Sequence, residues 1–268
     1  MPRIGVIGGT GLLDPTAFGG IRRIVEITPY GPAVFFEARL NGTDIAFLPR
    51  HGPQHTVPPH RVNYRANIWA LWNWGVEQVI ATAAVGGIDA ELKPGDFVIV
   101  DQCIDFTKDR PSTFADDTEG PVCHVDFTHP YCPRLRDLVI DSCTTVGVRV
   151  RSQGCYVCAQ GPRFETPAEI RMFGALGATV VGMTGMPEAA LAREAGLCYA
   201  AICVVTNQAA GFGHTPLTHE EVVRQMEASR VQLLEVMGKT VKRAEGSQRT
   251  CGCADARVLE GRPEHGHG

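Results

Sequence analysis

No apolar run in the chain reaches the length that a bilayer-spanning helix needs, which excludes a helical membrane protein. No stripe of lysine and arginine stands out either. The basic residues are scattered over 268 residues carrying a net charge of -4, so neither nucleic acid nor an anionic membrane surface is an expected partner. A secretory leader has no room, because Met1-Pro-Arg-Ile-Gly runs at once into a predicted strand, and the expected location is the cytoplasm. Internal repeats and domain linkers are missing as well. With 44% hydrophobic residues, the chain is long enough for one large α/β domain with a substantial core. The one shift in composition comes at about Ala244, after which Gly, Arg, Glu and His dominate. Residues 1–243 are therefore the expected domain and 244–268 a loose tail, apart from anything its two cysteines tie down.

Cysteine is plentiful, at ten residues, yet a disulfide scaffold belongs to short secreted chains. Cys203, in Ala-Ile-Cys-Val-Val, reads as a small core hydrophobe. Cys155-Tyr-Val-Cys158 has the spacing of half a zinc site, but no second pair or histidine cluster stands beside it, so no metal is expected.

Periodicity predicts alternating strands and helices. Strands are expected at Ile4–Ile7, Val34–Phe36, Ile45–Leu48, Val79–Ala84, Phe97–Val100, Val180–Met183 and Tyr199–Thr206. Helices are expected at 63–74, 135–146, after Thr166-Pro167-Ala168-Glu169, at 186–194, and from Thr218 to about Val241. Thr166–Glu169 and Thr218–Glu221 both read as capping boxes. In the last helix Val222, Met226, Leu233 and Met237 form an apolar stripe. The expected class is α/β, a mixed β-sheet flanked by helices.

Several strings sit where strands end. Gly8-Gly9-Thr10-Gly11 offers backbone N–H groups and a hydroxyl that suit a phosphate, and it serves equally as a structural turn. It does not match GxGxxG, so a dinucleotide fold is not indicated. Arg50-His51 supplies bidentate donors and an imidazole, and the polar run Pro58 to Asn67 behind it belongs to a site or to a subunit contact. Ala83-Ala84-Val85-Gly86-Gly87 lets a backbone approach a ligand closely, or simply packs tightly. Glu165, just before the cap Thr166, either favours the helix dipole or accepts N–H groups from a ligand. Gly182-Met183-Thr184-Gly185-Met186-Pro187-Glu188 and Asn207 lie at strand ends, where α/β sheets place ligands. His219, in the first turn of its helix, is either a satisfied core histidine or points into a cavity.

In this order, over residues 3 to about 242, the strings resemble the purine nucleoside phosphorylase and methylthioadenosine phosphorylase family. They include the Pro-Gly-Asp-Phe-Val-Ile-Val-Asp-Gln run at 94–102 and Gly161-Pro162-Arg163-Phe164. The resemblance implies a nucleoside phosphorylase-like single domain assembled as a homotrimer or a dimer of trimers. By the same resemblance, Thr10, Arg50, His51, the backbone of Ala83 and Ala84, and Thr184 hold phosphate. Met183 lies against the sugar, and Phe164, Glu165, Asn207, Gln208 and Ala209 meet the base. Inorganic phosphate is a co-substrate, and neither an organic cofactor nor a metal is implied. Cys251-Gly-Cys253-Ala254-Asp255 is similar to a tail motif of heat-adapted relatives in which the cysteines can be oxidised; free thiols and a disulfide both remain open.

The base can be argued from donors and acceptors. A 6-oxopurine accepts at O6 and donates at N1, so the amide nitrogen of Asn207 suits O6 and Glu165 suits N1–H. Adenine reverses that pattern, and enzymes of the family acting on methylthioadenosine typically carry aspartate at this asparagine position. A mismatch costs on the order of 1–3 kcal/mol for each unpaired group. Similarity to the helix start of inosine- and guanosine-cleaving enzymes implies that His219 bonds the 5′-hydroxyl. The expected activity is phosphate-dependent cleavage of inosine and guanosine to free base and ribose 1-phosphate in purine salvage, with Asn207 stabilising the departing base. S-methyl-5′-thioinosine phosphorylase is the alternative, then methylthioadenosine phosphorylase.

Overall fold

Runs of small and β-branched apolar residues with no polar face can be accommodated only where both sides of a sheet are covered. The chain has two such long runs, and the computed structural model pairs them at its centre. It describes residues 3–10, 18–115, 124–212 and 217–256. In chain order the strands are Ile4–Gly8 (β1), Gly19–Thr28 (β2), Gly31–Leu40 (β3), Thr43–Pro49 (β4), Gln78–Gly87 (β5), Phe97–Ile99 (β6), Gln102–Phe106 (β7), Val150–Arg151 (β8), Cys155–Ala159 (β9), Val180–Gly182 (β10) and Cys198–Gln208 (β11). The α-helices among the described residues are Tyr64–Asn73 (α1), Pro133–Val146 (α2), Pro167–Ala175 (α3), Gly185–Glu194 (α4) and His219–Glu245 (α5).

All the strands belong to one mixed sheet, as expected of the α/β class. Strand β5 is its hub. It pairs in parallel with β1 over its first half, in parallel with β11 over its whole length, and antiparallel with β10 at its end. β4 adds in parallel to β1, so β4, β1, β5 and β11 all end on the same edge of the molecule. One irregularity sits there: Val205 pairs with Val85 and Asn207 with Gly86, leaving Thr206 as an extra residue in β11. Such a bulge bends a strand and re-aims the side chains beyond it.

Helices cover both faces. Asn63 caps α1 by accepting from the Ala66 N–H, and the helix buries Ile68, Ala70, Leu71 and Trp72 beside α4. On the other face α2 and α5 pack on each other and on β11 through Leu135, Val139, Met226, Leu233 and Met237. Thr166 and Glu169 form the reciprocal capping box expected of α3. At α5 the Thr218 hydroxyl accepts from the Glu221 N–H, and the helix runs to Glu245, past the expected end at Val241 and past the expected domain limit at 243. Several boundaries differ from expectation by a few residues, and β2, β7, β8 and β9 were not expected as strands. Val223, beside Val222 in α5, is 45% exposed.

Candidate active site

A cavity of about 440 Å³ opens where β1, β4, β5 and β11 end. The residues expected to hold an anion all line it: Thr10, Arg50, His51, Ala83, Ala84 and Thr184. So do Phe164, Glu165, Met183, Asn207, Ala209 and His219. Gln208 does not. Successive residues of a strand face opposite sides, so with Asn207 and Ala209 turned to the cavity, Gln208 between them is turned away.

Arg50 is held rather than free. Its Nε and Nη2 donate to the two carboxylate oxygens of Glu188, each at 2.7 Å, and its Nη1 donates to the Thr82 carbonyl at 2.8 Å. The two side chains are 2% and 1% exposed. Burial alone would lower the guanidinium pKa, but the Glu188 carboxylate outweighs it and keeps the pKa above its ordinary value. Tyr199 donates its hydroxyl to the same carboxylate at 2.7 Å. Of five guanidinium donors, three are thus engaged among the described residues, and one N–H on each terminal nitrogen is left. A fork with two spare donors at the rim of a cavity is suited to two oxygens of one anion. Gly9 makes this approach possible: a Cβ on it would lie 2.9 Å from Arg50 Nη1 and 2.9 Å from the Thr82 carbonyl oxygen. Gly9→Ala is expected to cost about 1–3 kcal/mol in a denaturant melt and to raise the KM for the anion more than that for the organic substrate.

His51 is neutral. Its Nδ1 lies 2.8 Å from the Val57 carbonyl, which requires Nδ1–H to donate and leaves Nε2 as an acceptor. Burial, then the charge of Arg50, lowers its pKa from 6.5 to about 4. The histidine is therefore not the proton donor envisaged from sequence; it can accept the hydroxyl of a monoprotonated anion. The stability consequence has a definite sign. Between pH 6.5 and about 4 the unfolded chain binds a proton at this residue and the folded chain does not. Stability is present above that window and is lost as pH falls through it, by at most about 1.4 kcal/mol per pH unit. His51→Gln is expected to flatten the acid limb of urea-melt stability plotted against pH; an unchanged slope would remove His51 from the account.

The opposite side of the cavity carries neutral and acidic hydrogen-bonding groups. Glu165 Oε1 is buried and has no partner among the described residues, and burial raises its pKa. An orphaned acceptor facing a cavity is satisfied by a donor on a ligand. Asn207 is oriented by its neighbours: Thr206 donates its hydroxyl to Oδ1 at 2.8 Å, and Nδ2 donates to the Gln208 carbonyl at 2.8 Å. One N–H and one lone pair of the amide remain for a ligand. The extra residue of the bulge is thus the residue that aims Asn207.

Between these sides runs the segment Gly182 to Thr184. Tyr156 presents its hydroxyl to the backbone N–H groups of Thr184 and Gly185 at 3.3 and 3.4 Å. A Cβ on Gly182 would overlap that hydroxyl. Thr184 precedes α4 without using its side chain as a cap, which leaves its hydroxyl to the cavity. Arg110, which sequence reasoning did not single out, straps the segment down: it donates to the carbonyls of Met183, Met186 and Gln160 at 2.9, 2.7 and 2.7 Å. At the far end of the cavity Val57, Pro59, Leu217 and Val222 stand with Thr56 around His55 and His219. Glu188, Thr206, Tyr156 and Arg110 are the positioning residues that sequence reasoning missed. Glu188, Tyr156 and Arg110 act through a neighbour distant in sequence or through backbone groups, and Thr206 acts on the adjacent Asn207 only because the bulge turns it there; none of these leaves a motif.

Part of the tail is tied down at its two cysteines. Cys253 is buried, and the sulfurs of Cys251 and Cys253 meet those of Cys132 and Cys198. Cys155 and Cys158, the pair weighed for zinc, lie in β9 apart from that cluster.

Comparison with known proteins agrees with this geometry. The chain is 48% identical to the 6-oxopurine nucleoside phosphorylase of Pyrococcus furiosus over 96% of its own length and 98% of the relative's. It is also 48% identical to a protein of Methanothermobacter thermautotrophicus named as a probable S-methyl-5′-thioinosine phosphorylase, over 94% of this chain and 88% of that one. Among solved structures, the methylthioadenosine phosphorylase of Schistosoma mansoni in complex with adenine superposes with a TM-score of 0.89 at 32% identity, covering 96% of both chains. The profile of the phosphorylase superfamily matches residues 3–242, and the chain belongs to that family.

Proposed function

We propose that this enzyme is a purine nucleoside phosphorylase that cleaves 6-oxopurine nucleosides, inosine and guanosine, with inorganic phosphate. The observation that carries the choice of base is the pairing of Glu165, a buried carboxylate oxygen without a donor, with Asn207, whose amide keeps one donor and one acceptor. Glu165 accepts from N1–H, and from the 2-amino group where the base is guanine. Asn207 donates to O6 and accepts from N7–H. Adenine would set the N1 lone pair against the Glu165 carboxylate. The name of the Pyrococcus relative supports the same reading.

In this reading the spare N–H groups of Arg50, the Thr184 and Thr10 hydroxyls and the backbone at Ala83 and Ala84 hold phosphate. His51 Nε2 accepts the P–O–H of hydrogen phosphate. A phosphate oxygen forms the bond to C1′ as the C1′–N9 bond breaks, and the bonding pair leaves with the purine. The phosphate anion stabilises the positive charge that develops on the ribosyl group. The purine leaves as its anion and takes up a proton at N7 through solvent, balanced by the proton that hydrogen phosphate gives up, and Asn207 accepts from the resulting N7–H. The products are the free base and ribose 1-phosphate. Phosphate is a co-substrate, and the reaction so written calls on neither an organic cofactor nor a metal. His219, exposed at the cavity mouth, is the group for the 5′-hydroxyl. We place the enzyme in the cytoplasm, as a homotrimer or a dimer of trimers, in which a second copy would cover that mouth; light scattering on the purified chain gives the order directly.

A second reading has its own support. Leu217 and Val222 flank His219 with apolar surface, which suits a 5′-methylthio group, and the Methanothermobacter relative is named for that substrate. Base release from inosine, guanosine, methylthioinosine, adenosine and methylthioadenosine, each with and without phosphate, separates the cases. Phosphate-dependent release from inosine and guanosine, with adenosine-type substrates poor, is expected. Release from methylthioinosine alone keeps the base assignment and moves His219 out of its role. Preference for methylthioadenosine overturns the roles of Glu165 and Asn207, and release without phosphate overturns the mechanism.

A further inference from the structure

Away from the cavity, three stretches of chain bring four thiols to one point. Cys132 immediately precedes α2, Cys198 opens β11, and Cys251 and Cys253 come from the segment after α5. Their four sulfurs all lie within 4.8 Å of one another, and the Cys198 and Cys251 sulfurs are 3.3 Å apart. Three of these residues are buried and the fourth is half-buried. No ion is present.

We propose that Cys132, Cys198, Cys251 and Cys253 form a tetrathiolate site for one zinc ion that fastens the C-terminal segment to the core. Zinc held by four cysteine sulfurs at about 2.3 Å places them about 3.8 Å apart, at the corners of a tetrahedron. The observed separations, one of 3.3 Å and none above 4.8 Å, bracket that value, so shifts of no more than about an ångström would close the set. The ligand spacing is unusual, since the pair nearest in sequence is a Cys-Gly-Cys and the other two ligands are supplied by the folded domain.

The surroundings favour anionic sulfur over cystine. Arg134 and Arg249 lie against the cluster, both within electrostatic reach of Cys198 and Cys251. The Nε–H group of each is buried and has no acceptor among the described residues. Four thiolates around a divalent ion carry a net charge of two minus, which two guanidinium groups offset, and metal-bound sulfur accepts N–H donors. Two neutral disulfides would leave Arg134 without a counter-charge among the described residues and Arg249 with Glu77 alone, at 3.7 Å. The site is structural: Cys198 opens β11, and Asn207 lies near the other end of the same strand.

The test uses the full chain, purified in a non-metal-binding reductant and desalted, with zinc measured by mass spectrometry of the elements. About one zinc per chain is expected in the wild type, and background zinc in the Cys251→Ser/Cys253→Ser variant. Those substitutions lie beyond the last long helix but touch the core edge at Cys253, so circular dichroism and activity of the double variant establish that it is folded. Cobalt refilling of the wild type is expected to give the intense d–d bands of a tetrahedral thiolate site. A strong chelator is expected to lower the melting temperature of the wild type but not of the double variant. Zinc-free protein after refolding with excess zinc under reductant overturns the proposal. So does a purified chain whose intact mass lacks four hydrogens and whose cluster cysteines resist alkylation, because the thiols are then paired as disulfides.

Discussion

Glu188→Ala is expected to be the most damaging single substitution in the cavity wall. It leaves the Arg50 guanidinium buried with only the Thr82 carbonyl as a described partner. Breaking a buried ion pair from one side costs about 3–5 kcal/mol, because a charge remains without compensation. Thermal unfolding should register that loss directly. Freed from its bidentate clamp, Arg50 also loses the orientation that leaves one N–H on each terminal nitrogen toward the cavity. Displacement of a binding group by about an ångström costs on the order of 100-fold in rate, so kcat/KM for phosphate should fall by about that factor. Pairing Glu188→Leu with Arg50→Met separates the two effects. Replacing both charges by apolar groups of similar size is expected to recover most of the stability and none of the phosphate dependence. If Glu188→Ala melts like the wild type, the pair is not the buried clamp described above.

Asn207→Asp carries the second large effect, this time on the choice of substrate. An ionised carboxylate only accepts, so the donor to O6 disappears and an acceptor faces it. The carboxylate would also oppose the Gln208 carbonyl, to which Asn207 Nδ2 now donates. Each lost or opposed hydrogen bond costs about 1–3 kcal/mol, which predicts inosine kcat/KM reduced by about 10- to 100-fold. Adenosine-type substrates, which bring an N6–H donor to the same place, should gain. Glu165→Gln is the complementary change. Its amide can still turn an oxygen toward N1–H, so it should lose less than Asn207→Asp on inosine. Unchanged relative rates in both variants would remove this pair from the specificity argument.

Much of this arrangement was legible in the chain, and the exceptions share a cause. Strands flanked on both faces by core, such as β5 and β11, announce themselves because nearly every residue is apolar. β2 has no such signature: Ile21, Val25 and Ile27 are exposed among arginines and a glutamate, and only pairing with β3 makes it a strand. The residues lining the cavity could be picked out because glycines and polar groups interrupt apolar runs where strands end. The residues that hold them could not. Glu188 finds Arg50 across 138 positions, and Arg110 works through three backbone carbonyls that any sequence would supply. The four cysteines meet only once α2, β11 and the tail are folded together.

The two ends of the cavity differ in what anchors them. Thr10, Arg50 and Ala83 follow or occupy strands whose neighbours pair on both sides, so they move only if the sheet moves. Leu217, His219 and Val222 lie at the start of a single helix, beside the residues around Val57 and Pro59 that join β4 to α1. Amide protons beneath the first end should exchange through global unfolding, and those at the second through local opening. Substitutions at the helix start therefore tune which nucleoside enters without reaching the chemistry. A lineage can exchange one 5′ substituent for another by point changes there, while the strand ends stay as they are.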